Sequence, residues 1–215
     1  MNAITSARGK GRPRSFDRDK ALQKALEVFW TRGYGPATVA ELCAAIGINP
    51  PSLYAAFGNK DALFLEALQH YETTYWASPW KALADEADLR RGMERFLFAA
   101  AAILSSRDEP CGCLVVQTSG SVSTDSEEVR DALRLLREAS KASFLARLDR
   151  ARTVGELPPD ADVEALAATF AAVLQGMSAQ ARDGAPRVVL ERIARASLAM
   201  LPVTRAPAPP AAAGR

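Results

Sequence analysis

Apolar residues recur every three or four positions along most of this chain, and polar–apolar alternation is scarce, so the pattern predicts helices and no sheet. The first helix runs over Phe16–Arg32, with Ala21, Leu22, Ala25, Leu26 and Phe29 on one side, Asp17 favouring its start and Arg32-Gly33 its stop. Thr38 and Glu41, three apart just before apolar residues, have the spacing of a capping box. The helix they start presents Val39, Leu42, Cys43 and Ile46 and must end at Gly47, the one residue there free to take a positive φ. Asn49 then offers a capping oxygen, and Pro50 fits a first helical position, where no N–H is needed. Leu53, Tyr54 and Phe57 mark this short helix, and Gly58-Asn59 closes it.

Longer helices follow. Asp61–Tyr75 buries Leu63, Phe64, Ala67, Leu68 and Tyr71, and Ser78-Pro79 is expected to break it, with Trp76 and Trp80 beside the break. Leu89–Ser105 turns Met93, Phe96, Leu97, Ala100 and Leu104 inward, and Arg107–Ser123 reads as irregular chain or a short helix. A long helix over Thr124–Arg152, capped by Thr124 or Ser126, keeps Val129, Leu133, Leu136, Phe144 and Leu148 on one stripe. Two more run from Asp160 or Asp162 to Arg182 and over Arg187–Leu201. Both are apolar around more than one stripe and so need partners on two sides.

Two short helices joined at a glycine form a helix-turn-helix, whose common use is to lay the second helix in the DNA major groove. A plain helical hairpin inside a bundle shares that pattern. The flanks favour DNA: a further helix precedes the pair, and before it lies the basic, glycine- and proline-rich stretch Ala7–Arg14, placed as a minor-groove arm would be.

The motifs Phe29-x-x-x-Gly33-Tyr34, Thr38-Val39-x-x-Leu42, Ala45-x-Gly47-Ile48, Ser52-Leu53-Tyr54-x-x-Phe57 and Asn59-Lys60-x-x-Leu63 closely resemble the tetracycline-repressor (TetR/AcrR) family of bacterial regulators. The resemblance is detailed over about Arg14–Leu65 and general beyond it. It implies an all-α, homodimeric DNA-binding regulator, most often a repressor, released from its operator by a small molecule lodged among the body helices. By the same resemblance Thr38, Tyr54 and Lys60 would meet DNA phosphates, and the last two helices would pair across a two-fold axis.

Composition fits that picture: the chain is 48% apolar and 24% charged, and its alanine-rich stretches favour helix. Net charge is only +2, yet the first twenty residues set six cations against two carboxylates, a balance of +4 that leaves the remainder at −2. Phosphate-seeking charge therefore sits at one end, which argues against coating nucleic acid with the whole surface. No signal peptide is expected at the polar, basic start, and no segment is apolar for the length of a membrane span. Three cysteines without framework spacing fit a reducing cytoplasm. The expected organisation is a basic arm over 1–14, a helix-turn-helix unit over 15–65, an effector-binding and dimerisation domain over 66–201, and a proline/alanine tail over 202–215.

Candidate chemistry follows from position. Arg12 and Arg14 lead into the DNA-binding helices as phosphate or minor-groove contacts. Lys60 stands at a helix start, where a cation opposes the dipole, and a DNA phosphate explains it better than stability does. Asn49, Pro50, Pro51, Ser52, Ala55 and Ala56 can face base edges, but only Asn49 and Ser52 can hydrogen-bond there. That leaves part of the specificity to DNA shape and the arm. Trp76, Trp80, Phe96 and Cys113 are candidates to line an effector pocket, and Phe170, Val173, Met177, Ile193 and Leu201 are candidates for the dimer interface. Cys111-Gly112-Cys113 admits redox or soft-metal sensing as an alternative, or simply small residues packing a turn. Two thiolates are too few for a closed zinc site, and no cofactor is expected. An all-α enzyme is the remaining class; no P-loop, dinucleotide-binding glycines or nucleophile elbow supports it, and His70 has no acid–base partner in the sequence.

Overall fold

The computed structural model describes residues 17–106, 109–118, 122 and 126–202, so Arg12 and Arg14 lie outside the described residues. Among those described there are helices and no strand. The amino-terminal head holds α1 (Arg18–Arg32), α2 (Val39–Ile46) and α3 (Pro50–Phe57), and α4 (Lys60–Tyr71) runs from it into the body. The body holds α5 (Ala77–Asp85), α6 (Leu89–Leu104), the short α7 (Leu114–Thr118), α8 (Glu127–Thr153), α9 (Val163–Arg182) and α10 (Arg187–Ser197), followed by a 3-10 turn, Leu198–Met200.

Local chemistry sets the head. Asp17 caps α1 by accepting from the N–H groups of Asp19 and Lys20. The capping box of α2 is present in both directions: Thr38 Oγ1 accepts from Glu41 N at 3.2 Å, and Glu41 Oε2 accepts from Thr38 N at 3.0 Å. Gly47 closes α2 in the left-handed region at φ 82°, where a Cβ would be strained. Asn49 Oδ1 then accepts from Ser52 N at 2.9 Å, with Pro50 at the first position of α3. Leu26, Phe29, Leu42, Leu53, Leu63 and Phe64 meet in the buried centre of the head. Phe64 sits edge-on to Phe29, with ring centroids 5.0 Å apart.

The break expected at Ser78-Pro79 is not there. The helix instead widens earlier, in a π turn over Glu72–Trp76, where the N–H of Ala77 reaches the Glu72 carbonyl five residues back. α5 begins immediately after that turn. Pro79 thus falls at the third position of α5, within helix that continues from the π turn. The long body helix begins with Ser126, but the hydroxyl does not cap: Ser126 Oγ pairs with Tyr34 Oη at 2.8 Å, a buried link between body and head.

Candidate nucleic-acid interface and regulatory cavity

α3 buries Leu53 and Phe57 and keeps its other side outward: Asn49, Pro50, Pro51, Tyr54 and Ala55 are exposed, and Ser52 and Ala56 are half-buried. Tyr54 is 47% exposed, so the aromatic belongs to the surface and not to the core. Asn49 uses its oxygen for the cap and keeps its amide N–H groups available to donate. The Ser52 hydroxyl is likewise available. This short, lightly polar edge is what α3 would show to base pairs.

Lys60 begins α4, but its ammonium folds back to the turn that leads into Thr38. It donates to the Gly35 carbonyl at 3.2 Å and lies 4.4 Å from the centroid of the Tyr34 ring. One of its three N–H groups is thereby used and two remain for an anion. Partial burial lowers its pKa, and Asp61 beside it acts in the opposite direction. The structure therefore brings Lys60 and Thr38 to one side of the head. The Thr38 hydroxyl already donates to Glu41 Oε2 at 3.0 Å, so a phosphate would have to take that hydrogen from Glu41.

Arg18, counted above with the phosphate-seeking charge, is engaged inside the head. Its guanidinium donates to both Glu66 oxygens, at 2.8 and 2.7 Å, and to the Ala56 carbonyl at 2.6 Å, above the Phe57 ring. It ties α1 to the end of α3 and to α4. The sequence holds the charge but not the partner, which lies 48 residues away.

The body contains a small cavity between the π turn, α5, the turn into α7, α8 and α9. Trp76, Trp80 and Cys113 line it together with Glu72, Arg137 and Leu174. Phe96 stands one layer behind, 2% exposed and tilted against Trp80 with ring centroids 4.1 Å apart. Of the four pocket candidates, three form the wall and the fourth backs it. Glu72 is the lining residue that periodicity missed; burial pushes its carboxyl pKa up to about 7. In the surrounding core the Trp76 indole N–H is buried without a hydrogen-bond partner among the described residues.

The two cysteines of the C-x-C motif separate: Cys111 is exposed and Cys113 is in the cavity wall, where burial pushes its thiol up. Among the described residues no group of three or more His, Cys, Asp or Glu side chains is placed to hold a metal. His70 lies against Gln23 Oε1 at 3.0 Å, a link between α4 and α1. No helix of the described residues is long and apolar enough to cross a membrane.

The dimer candidates need correction. Phe170, Met177 and Leu201 are buried within one protomer, Phe170 packing on Phe144 with ring centroids 6.0 Å apart. They complete the core and have no surface to offer. Val173 and Ile193 remain half-exposed. The outward stripe of α9 is made of Ala165, Ala168, Ala172, Gly176 and Ala179, at helical spacing, and Val188 of α10 is 52% exposed.

Residues 21–67 match the sequence profile described as bacterial regulatory proteins, tetR family, and residues 90–197 match that of a tetracyclin repressor-like C-terminal domain. The chain is 34% identical over 196 residues to the HTH-type transcriptional repressor ComR of Escherichia coli (strain K12), covering 91% of this chain and 93% of that one. It is 30% identical over 180 residues to the HTH-type transcriptional repressor BdcR of the same organism, covering 83% and 85%. Among solved structures it resembles a cysteine-substituted mutant of the TetR family transcriptional regulator CifR in complex with 26-bp double-stranded operator DNA. That likeness has a TM-score of 0.86 and 43% identity over 89% of this chain and 100% of the other.

Proposed function

We propose, for a chain that belongs to the tetR family of bacterial regulatory proteins, a homodimeric repressor that binds a palindromic operator and leaves it when a small molecule fills the body cavity. Transcriptional regulation through DNA is the shared activity of that family and of the relatives named above. The observation that carries the fuller reading is the outward edge of α3, with Asn49 N–H groups, the Ser52 hydroxyl and an exposed Tyr54, together with a Lys60 ammonium that has N–H groups to spare. Tyr54, Thr38 and Lys60 hold phosphates and set the register, while Asn49 and Ser52 read bases over apolar contacts from Pro50, Pro51, Ala55 and Ala56.

The outward alanine and glycine stripe of α9, flanked by Val173, Val188 and Ile193, lets the same helix of a second copy approach closely and close a four-helix seam. Two-fold symmetry then sets two α3 helices about 34 Å or more apart, facing successive major grooves. The effector is compact and largely apolar, to suit Trp76, Trp80 and Leu174, and it acts through the difference in its affinity for the two conformers. Redox sensing at Cys113 is the second reading, favoured by the place of that thiol in the cavity wall; the raised thiol pKa works against it.

Titration of the protein against a labelled fragment of its own promoter tests the reading, with a scrambled fragment as control and the mass in solution measured alongside. Saturable preference for the promoter by a species of twice the chain mass is expected; equal affinity for both fragments, or a monomer throughout, overturns it. Lys60→Ala is expected to weaken binding to both fragments alike and to lower the slope of log K against log salt by about one. A Lys60→Ala protein with unchanged slope removes the lysine from the phosphate contacts.

A further inference from the structure

We infer that Trp30 is the joint through which the cavity acts on the DNA-binding head, an inference that rests on the effector reading above. Trp30 belongs to α1, is 1% exposed, and touches the reverse side of both walls that meet at the cavity. On one wall, the indole N–H donates to the Gly112 carbonyl at 2.9 Å, a buried bond, and the next residue, Cys113, faces the cavity. On the other, Trp30 stands edge-on to Tyr71 at 4.7 Å and to Tyr75 at 5.1 Å. Those two residues alternate through the π turn with Glu72 and Trp76, which face the cavity.

Both walls lie against Trp30. The Gly112 turn is held from behind, its N–H donating to the Leu104 carbonyl at 2.8 Å and the Cys113 N–H to Ser178 Oγ at 2.8 Å. Moving it away from Trp30 strands a buried indole N–H, which is costly, so a displaced turn draws α1 along instead. A π turn is a widened stretch of helix that often marks a functional site, and here the rings on its inner side lie against the same indole. α1 packs against α2 and α4, so its displacement changes where α3 sits relative to the equivalent helix of a partner.

The joint is tested by filling the cavity from its far side, with Ala171→Leu on α9, and by cutting the joint with Trp30→Phe. The wild-type chain, both single variants and the double variant are titrated against the promoter fragment. Ala146→Leu, exposed on α8 and outside the cavity, serves as the size control. Filling the cavity is expected to lower promoter affinity about tenfold in the otherwise wild-type chain and less than twofold in the Trp30→Phe background. An equal loss in both backgrounds overturns the joint.

A second readout needs no DNA and no substitution at position 30. The chain has three tryptophans, so its nitrogen–proton spectrum carries three indole resonances. Ala171→Leu is expected to move that of Trp30, and Ala146→Leu to leave it in place. An unmoved Trp30 resonance overturns the inference, including when Trp30→Phe fails to fold. Wild-type protein that ignores its promoter defeats the operator reading instead, and the resonance then decides the joint alone.

Discussion

Gly112→Ala is expected to destabilise the fold by about 2–4 kcal/mol, the sum of a backbone term of about 1 kcal/mol and an overpacking term of about 1–3 kcal/mol. Gly112 has φ 82°, and a Cβ there would lie 2.5 Å from Gln117 Nε2, 2.8 Å from Arg182 Cγ and 3.1 Å from the Ser178 carbonyl oxygen. The Gln117 amide is the end of a flexible side chain and can swing away, though it would give up its bond to the Cys111 carbonyl at 2.6 Å. The Ser178 oxygen is backbone of α9 and cannot yield. Gly155→Ala is the matched control, since it has the same φ of 82° with nothing within 4 Å of the added carbon. It should cost about 1 kcal/mol, the conformational term alone. At roughly 2–4 °C per kcal/mol for a chain of this size, the Gly112 variant should melt about 10 °C below wild type and the Gly155 variant within about 4 °C of it. Equal losses in thermal melts would mean that the crowding at Gly112 relaxes freely.

That glycine shows where sequence reasoning stops. Thr38 with Glu41, Asn49 and Gly47 were legible because a cap is an arrangement among residues within four positions of one another. The head could be assembled from such signals, and the family resemblance rests on the same residues. In Cys111-Gly112-Cys113, by contrast, the cysteines hold the obvious chemistry, yet the glycine carries the packing constraint. Its neighbours come from α1, α6 and α9, 82 residues away in the case of Trp30. Nothing local announces them.

The same limit explains the errors in the body. Helical spacing shows that Phe170 and Met177 are apolar on a face, but not whether the cover is α8 of the same chain or a helix of a second copy. Phe144 and its neighbours claim Phe170 first, so the outer face of α9 is left to alanine and glycine. Ser78-Pro79 has the composition of a breaker, but the helix had already reset its register in the π turn upstream. Arg18 illustrates the converse: a cation near a basic arm looks free until Glu66 is brought to it by the fold. Trp76, Trp80 and Cys113 do line one cavity.

Glu72→Gln is expected to stabilise the protein at pH 8 and to have no such effect at pH 4.5. Burial lifts the Glu72 carboxyl from its ordinary 4.5 to about 7 in the folded chain. Below pH 4.5 both folded and unfolded chains hold the proton, and the group contributes nothing to the balance. Between pH 4.5 and 7 the unfolded chain ionises while the folded one stays protonated, so folding takes up a proton and stability falls as pH rises. Above pH 7 the whole difference stands against the folded state, at most about 3.5 kcal/mol at 1.4 kcal/mol per tenfold change in proton affinity. Glutamine keeps the shape and never ionises, so it escapes that penalty: its melting temperature should exceed wild type by up to about 10 °C at pH 8, with the gap closing through the same window. Arg137 and Ser140 of α8, Gln175 of α9, and Cys113 share the cavity with Glu72, and a gain that stayed constant with pH would place the effect in contacts with those groups rather than in the proton. The sign also bears on the proposed effector. At neutral pH much of the carboxyl is protonated, which keeps the cavity hospitable to an uncharged apolar molecule, and apparent affinity for such a molecule should weaken above pH 7 in wild type but not in Glu72→Gln.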